Sequence, residues 1–281
     1  MSVNKYLKFF NTYSQNRPAL GGLILLVCFF ILAFSADFIA PYNYYEINAA
    51  DKLQPPSLKH IMGADNLGRD VLSGVILGSR ISLSIGFTSA GISAIIGTLL
   101  GSIAGYYGGK WDSLLMRITE LFIVIPTFFL ILIIIAIFGG SIWNVMVIIG
   151  LTSWPGTARL IRSEVLTLKT QDFVDAARTT GASDFRILFR HILPNALYPV
   201  LVNTSIQVAS AIILESGLSF LGLGDPNNVS WGQMLDTAQT YLRIAWWMAF
   251  FPGIAILLSV LSFNLIGDGL NDALNPRLRR R

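Results

Sequence analysis

Six long apolar runs alternate along the chain with short segments that hold most of its charge. The runs cover residues 20–40, 82–106, 114–138, 142–166, 196–221 and 245–267, and each is at or above the ~20 residues that a helix needs to cross a bilayer. The fourth is the exception in composition. Its apolar part stops at Trp154-Pro155, and a helix continuing through that proline carries Arg159 and Arg162 out with it. Pro126 falls midway along the third run, where it predicts a kink. In the second run Gly97, Gly101 and Gly105 recur every four residues, a small-residue stripe that predicts close helix packing in lipid.

The segment 172–199 has a different pattern. Phe173, Ala176 and Ala177 recur at helical spacing, as do Phe185, Leu188, Phe189 and Ile192, with arginines between them. Gly181 suits a left-handed helix end, Ser183 or Asp184 can cap a second helix, and Pro194 is expected to end it. The prediction is two short amphipathic helices with a glycine elbow. Upstream of the second run, Val71, Leu72, Val75 and Ile76 form one apolar face, which predicts a surface helix before the span. Tyr42, Tyr44, Tyr45, Trp231, Trp246 and Trp247 are placed for an interfacial aromatic belt.

Composition sharpens this picture. At 53% hydrophobic and 13% charged residues, with a mean hydropathy of +0.62, the chain is an integral membrane protein, all-α and polytopic. The net charge of +4 gives no reason to expect nucleic acid, because the basic residues cluster by loop. Fifteen of the 20 lie on one side of the expected spans: Lys5, Lys8, Arg17, Lys110, Arg117, Arg159, Arg162, Lys169, Arg178, Arg186, Arg190, Arg277, Arg279, Arg280 and Arg281. Both termini and the 172–199 loop are therefore expected in the cytoplasm of a multi-pass cell-membrane protein. The first run exceeds a signal-peptide core and no small-residue cleavage site follows before Asp37, so it reads as an anchor. Cys28, the single cysteine, excludes an internal disulfide and is assigned to packing.

Polar side chains inside the runs are the remaining candidates for function. Asn203, Gln207 and Ser210 share a stripe of the fifth run, and Glu215 lies about 80° round from Gln207. A lipid-facing carboxylate is costly, so Glu215 should face protein or water. Two readings stay open: a wall of a translocation path, or an interhelical hydrogen-bond network. Arg117 and Glu120 are spaced for a local ion pair in the third run. There is no phosphate-binding loop, zinc-protease helix or nucleophile elbow, so no catalytic residue, cofactor or metal ligand is assigned.

The order Asp175-Ala176-Ala177, Gly181, Ile187, His191 and Pro194 resembles the cytoplasmic "EAA" loop of ABC importer permeases, with Asp175 where that family usually has Glu. The string from His60 to Ser73, with Gly63, Ala64, Asp65, Gly68, Arg69 and Asp70, is similar to the segment before the core in C-type permeases of dipeptide, oligopeptide and nickel importers. The resemblance runs from Leu20 to Arg277 and implies the type I ABC importer permease fold. It divides the chain into an arm, first span and external loop (1–80), a five-helix core (81–270) with the coupling loop at 168–196, and a basic tail (271–281).

It also implies a second, homologous permease subunit, two cytoplasmic ATPases that carry the ATP and Mg, and an external solute-binding protein. The coupling residues would be those seven, from Asp175 to Pro194. Dipeptides or oligopeptides are the implied substrate, with nickel or a metal chelate as the alternative. An ion-coupled secondary transporter would have only Glu215 as its coupling site, and a channel would need a longer pore loop than Gly139-Gly140-Ser141.

Overall fold

A computed structural model describes residues 13–274. Lys5, Lys8, Arg277, Arg279, Arg280, Arg281 and most of the expected basic tail lie outside the described residues.

The first helix, α1 (Arg17–Phe34), starts at Asn16, whose side chain accepts from the Ala19 N–H, with Pro18 in the first turn. The Asn16 amide also donates to Asp272 at 2.8 Å, tying the start of α1 to the last helix. Helix α2 (Val71–Tyr107) spans 37 residues, about 55 Å at the usual rise. Asp70 caps it, accepting from the Ser73 N–H at 2.7 Å. The separate surface helix expected before the second span does not exist: no residue from Val71 to Ser82 breaks the helix, and those turns are the start of α2.

Helices α3 (Gly109–Val124) and α4 (Thr127–Phe138) form the third run, bent by 84° at Pro126. The bend is thus a full break in the helix. Arg117 and Glu120 are both exposed on α3 and form no ion pair. Helix α5 (Ile142–Leu168) passes through Pro155 unbroken. Helix α6 (Asp172–Thr179) is followed by Gly181 at φ +80°.

The next helix, α7 (Asp184–Leu223), departs from expectation. It runs straight past Pro194 and Pro199, through a π-helical segment at Ile187–Ile192, and into the fifth run. The wide turn explains why Pro194 does not stop it. In the π segment the Leu193 N–H bonds back five residues to Leu188, which makes room for a ring that would otherwise clash with the carbonyl four residues back. Helices α8 (Trp231–Gln239) and α9 (Trp247–Leu274) complete the fold.

By length and apolarity α1, α2, α7 and α9 can each cross a membrane, and the bent pair α3–α4 makes a fifth span if taken together. Helix α5 is long enough, but its second half carries Arg159, Arg162 and Glu164, so the expected fourth span lacks that degree of apolarity.

The largest helix contact joins α2 and α5. The core divides into layers. Leu26 and Phe29 of α1, Leu83 of α2, Val208 and Ile212 of α7 and Phe263 of α9 pack around Trp231. Trp231 is therefore not interfacial. It is fully buried, donates its indole N–H to the Val75 carbonyl at 2.9 Å and meets Phe29 edge-on at 5.5 Å. Tyr44 and Trp247 are likewise buried, the latter donating to the Ala64 carbonyl at 3.0 Å, whereas Tyr42, Tyr45 and Trp246 are exposed. Cys28 is exposed on α1, not buried in the packing assigned to it from the sequence.

Candidate functional site

The polar loop is seated on a complete apolar floor. Val174 and Ala177 of α6 and Ile187, Leu188 and Ile192 of α7 are buried against Tyr106, Ile161, Val165, Ala196 and Val200. Val174 lies on the buried face, whereas Phe173 and Ala176, assigned to the same apolar spacing in the sequence, are exposed. Burial of this floor fixes the loop as a rigid shelf at one end of the bundle.

Polar contacts reinforce that seating. The Tyr106 hydroxyl donates to Asp184 at 2.6 Å, and the Lys169 ammonium donates to the Tyr106 carbonyl. Arg162 of α5 grips Asp112 of α3 with two hydrogen bonds of 2.5 and 2.7 Å. A bidentate pair of this kind holds orientation as well as distance.

Of the seven coupling candidates, Asp175 is exposed and pairs loosely with Arg178 at 3.3 Å. Ala176, Gly181 and Pro194 are also exposed, His191 is half-buried, and Ala177 and Ile187 are buried in the floor. A Cβ at Gly181 would meet nothing, so its positive φ is the reason for glycine there. The exposed surface of the loop carries Asp172, Phe173, Asp175, Ala176 and Phe185, with Arg178, Arg186 and Arg190 beside them. The exposed Phe185 ring lies tilted against Phe189, with ring centres 4.5 Å apart.

In the bundle, a Cβ on Gly97 would strike Thr157 and the Trp154 carbonyl. On Gly101 it would strike the Ala158 backbone, and on Gly105 the Arg162 carbonyl and Val165. The glycine stripe therefore lies directly against α5. Two of the polar candidates meet the same helix, for Asn203 and Gln207 both donate to the Thr157 hydroxyl, at 3.1 and 2.9 Å. Ser210 is exposed and bonds only its own helix, at the Ile206 carbonyl.

Glu215 is elsewhere. It is buried, and one of its oxygens accepts from Ser219 and from Ser230, each at 2.7 Å, while the other has no partner. It lines a void of about 10 Å³, room for one water, together with Asp225 and Asn228. Gln207 is not part of that lining. Reading the sequence missed Thr157, Ser219 and Ser230 as partners, because a hydroxyl in an apolar helix carries no signal of what faces it.

The residues between α1 and α2 fold around His60. This ring is buried, its Nδ1 lies 2.9 Å from Asp70, and its Nε2 lies 3.4 Å from Asp51 without making a hydrogen bond. Lys59 binds Asp51 at 2.7 Å and, with His60, holds that carboxyl below its usual range. Asp225 begins the connection to α8. Burial acts to raise its pKa, but the Asn227 and Ile142 N–H groups and the Asn228 amide outweigh burial and bring it below the ordinary value.

Residues 97–280 match the family described as "Binding-protein-dependent transport system inner membrane component", and residues 8–56 match the "N-terminal TM domain of oligopeptide transport permease C". The dipeptide transport system permease protein DppC of Alkalihalophilus pseudofirmus is 38% identical over 99% of this chain and 92% of its own length. The di/tripeptide transport system permease protein DppC of Pseudomonas aeruginosa is 40% identical, covering 97% and 92%. The glutathione transport system permease protein GsiD of Pectobacterium atrosepticum is also 40% identical, covering 97% and 91%. Among solved structures, an inward-facing MetNI methionine ABC transporter chain superposes with a TM-score of 0.58 at 21% identity, over 72% of this chain and 96% of that one, a likeness of fold.

Proposed function

The chain belongs to the family of inner membrane components of binding-protein-dependent transport systems, and from that premise we propose that it is one of two permease subunits through which an ATP-driven importer moves dipeptides or oligopeptides. The observation that carries the coupling half of this reading is the exposed strip of Asp172, Phe173, Asp175, Ala176 and Phe185 on a shelf whose other side is fully packed. A rigid shelf with one free face transmits force, whereas a loose loop would absorb it. ATPase subunits, carrying the nucleotide and Mg, dock on this strip, and their closure rotates the bundle as a body. The shelf and both termini are cytoplasmic, as the distribution of Lys and Arg requires.

Asn203 and Gln207 hold α7 on α5 beside the translocation path. Ser210, exposed with Ile206 and Ile213 on the free side of α7, faces the path itself, while Glu215 sits buried with Ser219 and Ser230. Peptides are favoured over nickel or a metal chelate by the dipeptide and di/tripeptide relatives, and glutathione, named for the third relative, is itself a tripeptide.

The test is reconstitution of the chain with its second permease, its ATPases and a solute-binding protein in liposomes. Peptide-loaded binding protein should stimulate ATP turnover and drive uptake of labelled dipeptide. Uptake that persists without the ATPases, or an ATPase that fails to co-purify, would sink the proposal.

A further inference from the structure

Between the segment that follows α1 and the segment that joins α7 to α8 lies a polar pocket of about 280 Å³, lined by Tyr44, Tyr45, Arg69, Asn228, Gln233 and Thr237 among others. Arg69 dominates it. Its Nε donates to Asp65 at 2.6 Å, and its guanidinium carbon sits 4.6 Å from the centre of the Tyr44 ring. Asp65 is itself fixed by the N–H groups of Leu67 and Arg69 at 2.8 and 2.9 Å. The guanidinium plane is thereby set from two directions. Its two terminal nitrogens have no partner among the described residues, although the side chain is only 19% exposed.

We propose that this pocket receives the C-terminal carboxylate of a short peptide, with the two terminal nitrogens of Arg69 as the binding fork. This deepens the peptide reading above and rests on it. Several observations select that ligand. A guanidinium whose outer edge is free matches the two oxygens of a carboxylate, and low exposure strengthens the pairing. Asp65 already pairs with Arg69, and among the described residues that line the pocket Arg69 is the one cation, so a monoanion suits it better than a doubly charged phosphate. Burial pushes the Tyr44 phenol up to about 12, so it stays neutral and does not compete for Arg69. The amides of Asn228 and Gln233 and the hydroxyl of Thr237 offer neutral donors and acceptors to a peptide backbone. At about 280 Å³ the space lies at the small end of ligand pockets (~300 Å³ upward), which suits two or three small residues.

The experiment uses the assembled importer in nanodiscs, without binding protein, and saturation-transfer difference NMR with alanyl-alanine and its C-terminal amide. The acid should give a signal about tenfold above the amide, and Arg69→Gln should bring the acid down by the same factor. Arg69→Lys should recover only part of it, because a point charge lacks the fork. Since Arg69→Gln also releases Asp65, a second variant guards the result. Tyr45→Glu changes an exposed side chain that meets Tyr44 edge-on, and it places a rival carboxylate in the pocket. It too should abolish the signal.

Equal signals from acid and amide, or an undiminished signal in Tyr45→Glu, would overturn the proposal. So would cross-linking of Tyr45→Cys to the binding protein with no peptide signal, since the pocket would then serve a protein carboxylate. If the wild-type importer shows no ATP-driven dipeptide uptake yet retains the preference for acid over amide, the peptide-importer reading fails and the pocket stands.

Discussion

The Tyr106 hydroxyl donates a 2.6 Å hydrogen bond to the Asp184 carboxylate, joining the last turn of α2 to the first turn of α7. The Tyr106 carbonyl also accepts from Lys169, just beyond α5, so three helices that enclose the bundle converge on one residue beside the proposed docking shelf. Motion of the shelf is thereby tied to α2.

Tyr106→Phe removes that tie and little else, because the ring stays packed. A hydrogen bond to a charged group is worth ~1.5–3 kcal/mol. Hydrogen exchange at residues 180–188 should accelerate by about tenfold, with the rest of the bundle unchanged. Coupling of ATP turnover to uptake should fall in parallel.

Gly181 sits at φ +80°, and proline requires about −65°. Gly181→Pro should abolish uptake while normal amounts of protein reach the membrane. Asp175→Lys breaks only an exposed 3.3 Å pair with Arg178, which contributes little to stability. Loss of uptake in Asp175→Lys, with unchanged thermal stability, would therefore report docking. Normal uptake in both variants would remove the coupling role from the loop.

The α2–α5 contact depends on main chains that nearly touch. Gly101→Val drives a side chain into the Ala158 backbone and should lower the melting temperature and impair assembly, by the ~1–3 kcal/mol typical of overpacking or more. Gly91, on the same helix, faces open space, and Gly91→Ala should leave the melting temperature unchanged.

Trp231→Ala empties the centre of the largest core layer and should cost ~3–5 kcal/mol. Trp231→Phe keeps most of the ring contact with Phe29 but leaves the Val75 carbonyl without its donor, a loss of about 1 kcal/mol. Thermal unfolding in detergent should rank the proteins wild type, Phe, Ala.

Asp225 ties the start of α5 to the turn after α7, and its folded pKa lies below the ordinary 3.8. A depressed carboxylate contributes stability that is present above its unfolded pKa and is lost as pH falls through its folded pKa. The difference in melting temperature between wild type and Asp225→Asn should therefore hold steady from pH 7 to pH 5 and shrink below about pH 4.

The polar loop was legible in the order of its residues, and Gly181 at the elbow was read correctly as a left-handed helix end. Its faces were not. An eight-residue helix such as α6 has too few turns to separate the Phe173 and Ala176 side from the Val174 and Ala177 side by spacing, and only contact with Ile161 and Val165 decides which is buried. Pro194 misled for a related reason, since a local rule for proline cannot anticipate a π turn that absorbs the ring.

The sequence by itself determined that this protein is a helical membrane bundle with a polar loop in one place. Apolar stretches in lipid must satisfy their own backbone groups, and helices do so wherever they pack. It also located the small residues at which two helices come close. Which hydroxyl answers Gln207, which serines hold Glu215, and how Arg69 comes to face a pocket were settled only by tertiary structure. Those pairings depend on the rotation of each helix about its axis and on loops distant in sequence, and both are fixed by the packing of the whole.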